Sequence, residues 1–211
     1  MMRYQIKFSK TEAMRFTGHL DLHTTLERTM RRANLPLVYS EGFTPRPKLS
    51  LASALPLGYT SEAEVAEFWL KEDLPIEQVA QAIHQSSPPG IVLQETRTAP
   101  PEAPKLQNSL TSAKFRVTLT DAHPDLEKNV RELLSADSLP RVKIRKGKKK
   151  TYDLRELVYA IELLPPNDKG QQELMLHLRA EPSATGRPDD VLDALGIDPL
   201  TTRIHRTGLI F

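Results

Sequence analysis

The order of hydrophobic patterns along the 211 residues predicts an α+β fold of two ferredoxin-like (βαββαβ) domains in tandem. Segments with alternating apolar residues, typical of half-buried strands, are interspersed with segments whose apolar residues recur every three or four positions, as in amphipathic helices. The same order occurs on both sides of residues 98–107, a segment with three prolines and no apolar period. We therefore expect a first domain over residues 1–97, a linker over 98–107 and a second domain over 108–211.

The first half begins with a strand pattern and a helix pattern, followed by strands on either side of a loop. Tyr4, Ile6 and Phe8 alternate with polar residues, which indicates a half-buried strand. A helix is expected over about residues 20–34, because its apolar residues fall on one stripe and Pro36 ends it. The remaining elements of this half are expected as short strands at 37–39 and 49–52, a strand at 64–70, a helix from Pro75 and a strand from Ile91.

The second half repeats this order of elements. Its expected elements are a strand over 115–119, a helix from Pro124, a basic strand at 142–144, a helical turn over 153–157 that leads into a strand, a strand over 174–178, a helix over 188–195 and a closing strand over 201–209. Val142 and Ile144 alternate with cations, so we expect them to hold the base of the basic segment on a sheet.

The composition excludes several classes of function. The chain contains no cysteine, which excludes disulfides, thiolate metal sites and a cysteine nucleophile. Its histidines lack metal-ligand spacing, and no phosphate-binding glycine loop or nucleophile-elbow motif occurs, so no cofactor is expected. No apolar run approaches the roughly 18 residues of a membrane span, and the N-terminus lacks the apolar core of a signal peptide. We therefore expect a cytoplasmic protein without a membrane partner.

The formal net charge of +2 conceals an uneven distribution of charge along the chain. Residues 1–50 contain 9 Lys and Arg against 4 Asp and Glu, whereas residues 51–104 contain 2 against 8. Residues 105–160 contain 13 against 7, and residues 161–211 contain 5 against 8. Each half is basic first and acidic second, a pattern that favours a basic face for a polyanion such as RNA.

Three groups of residues are candidates for contact with nucleic acid. The first lies on the polar face of the first helix, the second in and after the loop Gly42–Pro47, and the third in residues 141–150, where seven of ten are basic. The candidates are Arg28, Arg31 and Arg32; Phe43, Arg46 and Lys48; and Arg145, Lys146, Lys148, Lys149 and Lys150. Cations would neutralise phosphates, and an aromatic ring beside them would stack on a base.

Each group also has a purely structural interpretation. The arginines of the helix and the lysines of residues 141–150 are equally typical of solvated surfaces. Gly42 and the two prolines favour a rigid turn, in which Phe43 either meets a base or fills the hydrophobic core. The sequence leaves these alternatives open.

Candidates for catalysis are His19 together with Asp21 or Glu64. A carboxylate can orient an imidazole for acid–base chemistry. However, residues two positions apart face away from each other on a helix, and Asp21 also suits the positive end of a helix dipole. We therefore expect no catalytic residue, with these three as the candidates if the protein is an enzyme.

The most specific motifs of the chain lie between Arg15 and Trp69. They are Phe16, His19–Leu22, Arg31–Ala33, Leu35–Pro36, Gly42–Phe43 with Pro45 and Pro47, Leu55–Pro56 with Gly58, and Ser61 with Glu64; weaker ones follow at Asp153–Arg155 and Arg206–Leu209. In these motifs the chain resembles a bacterial family of radical-SAM-linked proteins of unknown function (DUF2344). The resemblance implies a B12-binding radical SAM protein as partner, encoded beside such a chain or fused to it, and it implies no catalytic residues.

These observations lead to one functional hypothesis and two alternatives. Because cysteine thiolates hold the iron–sulfur cluster of a radical SAM protein, this chain cannot carry one and is expected to be the companion. The leading hypothesis is a non-catalytic accessory protein that presents RNA or another substrate to the radical SAM partner. One alternative is an RNA-processing or RNA-modifying enzyme that uses His19 for acid–base chemistry. The other is a protein–protein adaptor that docks the partner through Phe43 and Trp69.

Overall fold

The computed structural model of the protein describes residues 1–145 and 148–211. The chain divides into two compact units, Met1–Leu110 and Thr111–Phe211. Each unit combines helices with an antiparallel sheet, so the α+β class that the sequence predicts is confirmed. No helix in the described ranges combines the length and the apolarity that crossing a bilayer requires.

The sheet of the first unit has the strand order β4-β1-β3-β2, and every neighbouring pair is antiparallel. The elements of this unit are β1 (Met2–Lys10), α1 (His19–Arg32), β2 (Leu49–Leu51), β3 (Thr60–Leu70), α2 (Ile76–Ser86), β4 (Ile91–Ala99) and α3 (Leu106–Ser109). A 3-10 turn, Glu12–Met14, precedes α1. Tyr4 of β1 lies opposite Phe68 of β3, and their rings stack with centroids 5.8 Å apart.

The core of the first unit lies between one face of this sheet and helices α1 and α2. Alternate residues of the strands point to that face, and the helices pack on it with residues at helical spacing. The buried side chains include Tyr4, Ile6, Phe8, Ala66, Phe68, Leu22, Leu26, Met30, Val79 and Ile83. Helix α1 ends before the predicted residue 34, because Asn34 adopts a left-handed conformation with φ 52° ahead of Pro36.

Residues 98–107, which the sequence predicts as a linker, belong to the first unit. Strand β4 extends to Ala99, and Leu106 at the start of α3 is buried. The guanidinium of Arg3, itself 2% exposed, donates hydrogen bonds to three carbonyls of this segment. The acceptors are Pro100 at 3.4 Å, Ala103 at 2.6 Å and Pro104 at 2.8 Å. A buried cation therefore holds the proline-rich segment against the sheet.

The sheet of the second unit has the strand order β10-β5-β9-β8, with antiparallel pairs between these neighbours. The elements are β5 (Ser112–Leu119), α4 (Leu126–Ser135), β6 (Pro140–Arg145), β7 (Lys148–Asp153), β8 (Val158–Leu164), β9 (Glu173–Arg179), α5 (Pro188–Ala194) and β10 (Thr202–Ile210). A 3-10 turn, Arg155–Leu157, leads into β8, which confirms the helical turn predicted there.

Strands β6 and β7 form a two-stranded sheet of their own. Val142 and Ile144 are paired in it with Thr151 and Lys149, so the base of the basic segment lies on a sheet, as the sequence predicts, although Val142 itself is 61% exposed. The carboxylate of Asp153, at the end of the hairpin, accepts hydrogen bonds from the Ser138 hydroxyl (2.6 Å) and from the Leu139 and Arg155 N–H groups (2.8 and 2.9 Å). These bonds fix the end of the hairpin to the segments on either side of it. These hydrogen bonds, first that from Ser138, hold the pKa of Asp153 below its ordinary value.

Candidate functional site

Helix α1 presents Arg28, Arg31 and Arg32 on its exposed side, opposite the apolar stripe that it buries. Arg32 donates to the carbonyl of Ser86 at the end of α2, at 2.8 Å. The guanidinium carbon of Arg31 lies 5.9 Å from the centroid of the Tyr39 ring, within the range of a cation–π contact. Arg31 is thus positioned beside the segment that leads into the loop Gly42–Pro47.

The two ends of the loop Gly42–Pro47 are joined by backbone contacts. Tyr39 and Pro47 form an antiparallel bridge. The Ser40 N–H donates to the carbonyl of Arg46 at 2.8 Å, and the Ser40 hydroxyl accepts from the Arg46 N–H at 3.1 Å. These bonds close and fix the base of the loop, and the tip projects from it.

The tip of this loop exposes an aromatic ring, and two cations that follow it in the sequence are exposed too. Phe43 is 109% exposed relative to its reference state, so it does not fill the core, which was one of the two interpretations of the sequence. Gly42 has φ +133°, a conformation that a residue with a Cβ rarely adopts, and it sets the turn that projects Phe43. Arg46 and Lys48 are also exposed.

The side chain of Lys48, just after the loop, points to the side opposite that of Tyr39. Tyr39 is paired with Pro47, and neighbouring residues of an extended segment point to opposite sides. The Lys48 ammonium lies 4.6 Å from the Trp69 ring centroid, and the guanidinium of Arg3 lies 5.6 Å from the same centroid. Cations therefore flank the base of the loop on both of its sides, with Arg31 near Tyr39 and Lys48 on Trp69.

The structure thus brings members of the first two predicted groups together around the loop Gly42–Pro47, on both sides of its base. We call the resulting set of residues the loop surface and define it as Arg31, Tyr39, Phe43, Arg46 and Lys48. Tyr39 is not among the residues that the sequence predicts for a site, because an aromatic residue in a short strand pattern is more typical of a core position. Tyr39 is 41% exposed, and its place directly before a glycine- and proline-rich loop was the available signal.

The three candidates for catalysis lie in different environments. His19 is the first residue of the helix, Asp21 is exposed, and Glu64 of β3 is 1% exposed opposite Phe8. The Asp21 carboxylate folds over the N-terminus of α1, where a Cβ placed on Gly18 would lie 3.6 Å from its Oδ2. This position favours a negative charge at the positive end of the helix dipole. Among residues 1–145 and 148–211, no group of three His, Asp or Glu side chains could hold a metal ion.

The hairpin of β6 and β7 carries lysines on both of its faces. Lys143 lies opposite Lys150, and Lys149 lies opposite Ile144. Lys149 and Lys150 are exposed, and as neighbours in one strand they point to opposite faces. The other predicted cations of this segment fall outside what the structure describes: Lys146 as a whole, and the side chains of Arg145 and Lys148.

Comparison with solved structures supports the fold. The chain is similar to one chain of the crystal structure of a Cbf5–Nop10–Gar1 complex, with a TM-score of 0.51 and 11% sequence identity. The similarity covers 97% of this chain and 48% of that chain, so this chain spans about half the length of its structural relative. At this level of identity the likeness shows a shared fold and nothing about function.

Comparison of sequences identifies the family. No curated protein matches the chain. A family model described as "Uncharacterized protein conserved in bacteria" matches residues 3–188, which is most of the chain and includes the loop surface and the basic hairpin. The chain belongs to this family, DUF2344.

Proposed function

We propose that this protein is a non-catalytic accessory module that binds single-stranded RNA on the loop surface and presents it to a radical SAM partner. The observation that carries the proposal is the fully exposed ring of Phe43 on a closed loop, in a segment where Arg46 and Lys48 are exposed as well. Exposing a phenylalanine ring to water has no benefit for folding, and a base stacked on it would bury the ring.

The electrostatics of the loop surface suit a nucleic-acid backbone. Arg31 and Lys48 lie on opposite sides of the loop base, each against an aromatic ring, which leaves the charged groups at the surface. Cations in this arrangement contact phosphates, while the aromatic ring at the tip stacks on a base without selecting its identity. The lysines of the hairpin add further positive charge in the second unit.

The architecture and the composition support the accessory role. The strand orders β4-β1-β3-β2 and β10-β5-β9-β8, each in a βαββαβ sequence of main elements, favour the interpretation of both units as ferredoxin-like domains. Four-stranded α+β sheets of this kind often bind single-stranded RNA, which is an argument by analogy. The radical SAM partner rests on the family resemblance, and the lack of cysteine means that the cluster would belong to the partner.

The proposal is tested by fluorescence anisotropy of a labelled, unstructured RNA oligonucleotide, titrated with the protein at several salt concentrations. We expect the logarithm of affinity to fall linearly with the logarithm of salt, with a slope of about −0.7 for each phosphate contacted. Phe43→Ala should weaken binding by about 1–3 kcal/mol, roughly 5- to 150-fold, without changing the slope, because the lost contact is uncharged.

The matched control is Phe16→Ala. Phe16 is also an exposed phenylalanine beside an arginine, with the Arg15 guanidinium carbon 5.2 Å from its ring centroid, but it precedes the start of α1, whereas Arg31 is at the end of α1. Equal losses in the two variants, or no binding of RNA at low salt, would contradict the proposal. Co-purification of the partner that survives high salt and nuclease, and is lost in Phe43→Ala, would favour an adaptor instead.

A further inference from the structure

The second unit contains a cavity of about 510 Å³ that none of the functions above uses. Its walls are formed by one face of the β6–β7 hairpin, the 3-10 turn Arg155–Leu157, the segment Ser183–Thr185 and the first turn of α5. A volume of this size is typical of sites for small organic ligands and is far larger than an inorganic ion needs. The side chains that line it therefore indicate the ligand.

Two lysines of the hairpin line the cavity. Lys143 and Lys150 lie directly opposite each other in the antiparallel pair, so their side chains share one face and both line the cavity. Like charges at such a position repel each other, and within residues 1–145 and 148–211 neither lysine has a carboxylate within ion-pair distance. An anion between the two ammonium groups would relieve this repulsion.

Carboxylates lie on other parts of the wall. The Tyr152 hydroxyl, two residues along β7 from Lys150, donates to Oδ2 of Asp190 at 2.9 Å. Burial, and then the hydrogen bond to Asp190, raise the pKa of Tyr152 to about 12, so the hydroxyl stays protonated and keeps donating to Asp190 above pH 10 as well. Glu156 also lines the cavity. These carboxylates would accept hydrogen bonds from hydroxyl or amino groups of a ligand.

The walls are held in place by backbone contacts. A Cβ on Gly186, which follows the Ser183–Thr185 segment, would lie 2.9 Å from the carbonyl of Leu157, so only glycine permits this close packing. The Gly186 N–H donates to the carbonyl of Arg179 at 2.9 Å. Leu157 and the Tyr152 ring provide an apolar part of the lining. The lining of the cavity therefore combines lysines, hydrogen-bond-accepting carboxylates and apolar side chains on walls that backbone contacts hold in place.

We propose that this cavity binds a nucleoside 5′-monophosphate group, with its phosphate between Lys143 and Lys150 and its ribose hydroxyls toward Asp190 and Glu156. A phosphate monoester with a hydroxyl-bearing sugar and a flat apolar base matches all three parts of the lining. The group is either a free nucleotide or the phosphorylated 5′ end of an RNA strand. The inference goes beyond the proposed function, because the site lies in the second unit and does not involve the loop surface.

Isothermal titration calorimetry of the full chain with uridine 5′-monophosphate, uridine and inorganic phosphate tests the proposal. We expect the monophosphate to bind at least about tenfold more tightly than uridine or phosphate alone, since each lacks one set of charge-assisted hydrogen bonds. Lys150→Ala and Lys143→Ala should each weaken binding of the monophosphate by about tenfold or more.

Lys149→Ala is the matched control, because Lys149 is the neighbour of Lys150 with the same charge and points to the other face of the hairpin. None of the three lysine variants should unfold at a lower temperature than the parent protein. Loss of binding in Lys149→Ala equal to that in Lys150→Ala, or equal affinity for uridine and its monophosphate, would overturn the proposal.

The two sources of the ligand are separated with RNA oligonucleotides in the Phe43→Ala background, in which the loop surface is disabled. Binding that requires a 5′-phosphate and is lost in Lys150→Ala identifies the RNA end as the ligand, whereas binding of the mononucleotide alone identifies a free nucleotide. If neither the mononucleotide nor the 5′-phosphorylated RNA binds, the cavity proposal is wrong. That result leaves the proposed function intact, since RNA binding by the parent protein is measured separately.

Discussion

Arg31 and Tyr39 join the cationic face of helix α1 to the loop Gly42–Pro47. The guanidinium carbon lies 5.9 Å from the ring centroid, and Tyr39 is in turn bridged to Pro47 at the base of the loop. Two features that are separate motifs in the sequence therefore form one continuous surface. An exposed cation–π contact of this kind contributes only about 0.5–1 kcal/mol, so its main effect is to position the arginine.

Arg31→Gln should weaken binding of single-stranded RNA and make the salt slope less negative by about 0.7, because one phosphate contact is lost. The free energy of unfolding should change by about 1 kcal/mol or less, since the contact with Tyr39 is exposed. Anisotropy titrations over salt and urea denaturation measure the two effects. Arg131→Gln, which removes an exposed arginine of α4, is the control and should leave the slope unchanged. An unchanged slope in Arg31→Gln would remove Arg31 from the RNA site.

Glu67→Gln should destabilise the protein strongly. Glu67 and Arg3 form an ion pair whose side chains are each 2% exposed, and Glu67 also accepts from the Ser50 hydroxyl at 2.9 Å. Removing the carboxylate charge leaves a buried guanidinium without its counter-charge, which typically costs about 3–5 kcal/mol. Chemical denaturation gives the free energy of unfolding directly.

The control for Glu67→Gln is Glu127→Gln. The Arg131–Glu127 pair has similar chemistry at 2.9 Å, but its side chains are 76% and 73% exposed, so its loss should cost only about 0.3–0.5 kcal/mol. Similar losses in the two variants would mean that burial does not determine the importance of the Arg3 pair.

The Tyr152 hydroxyl should ionise at a pH well above that at which an ordinary tyrosine ionises. Burial and the hydrogen bond to Asp190 raise its pKa from 10.0 to about 12. Because the folded state favours the neutral phenol, the resulting stabilisation is fully present below pH 10 and is lost as pH rises toward about 12. The difference in tyrosinate absorbance between the parent protein and Tyr152→Phe isolates this residue. Asp190→Asn should lower the pKa part of the way only, since burial is the larger cause.

His177 should be neutral at neutral pH and should make the second unit sensitive to acid. Burial, and then the ammonium of Lys114 opposite it in β5, lower the pKa of His177 below 6.5. The folded state thus disfavours the imidazolium, so stability is present above pH 6.5 and is lost as pH falls toward the lower pKa. His177→Gln should reduce this loss in thermal unfolding measured over pH. An NMR titration midpoint of His177 at or above 6.5 would contradict this prediction.

Much of the secondary structure could be predicted from the sequence alone. The apolar stripe of α1 and the 3-10 turn Arg155–Leu157 before β8 follow from local periodicity. A helix or strand that packs on a core buries residues at the period of its own backbone, so the spacing of apolar residues indicates which element forms. The sequence also located the loop Gly42–Pro47 from its glycine and prolines. It determined, by the absence of cysteine, that this chain holds no thiolate-bound cluster.

Only the tertiary structure decided which distant residues meet and which side chains remain in water. Phe43 could equally have filled the core, and only its exposure in the folded structure decides between the two positions. The Arg3–Glu67 pair joins residues 64 positions apart, and Tyr152 reaches Asp190 across 38 positions. Periodicity records how strongly each residue favours burial, but such contacts depend on strand order and register. These are set by the packing of the whole unit.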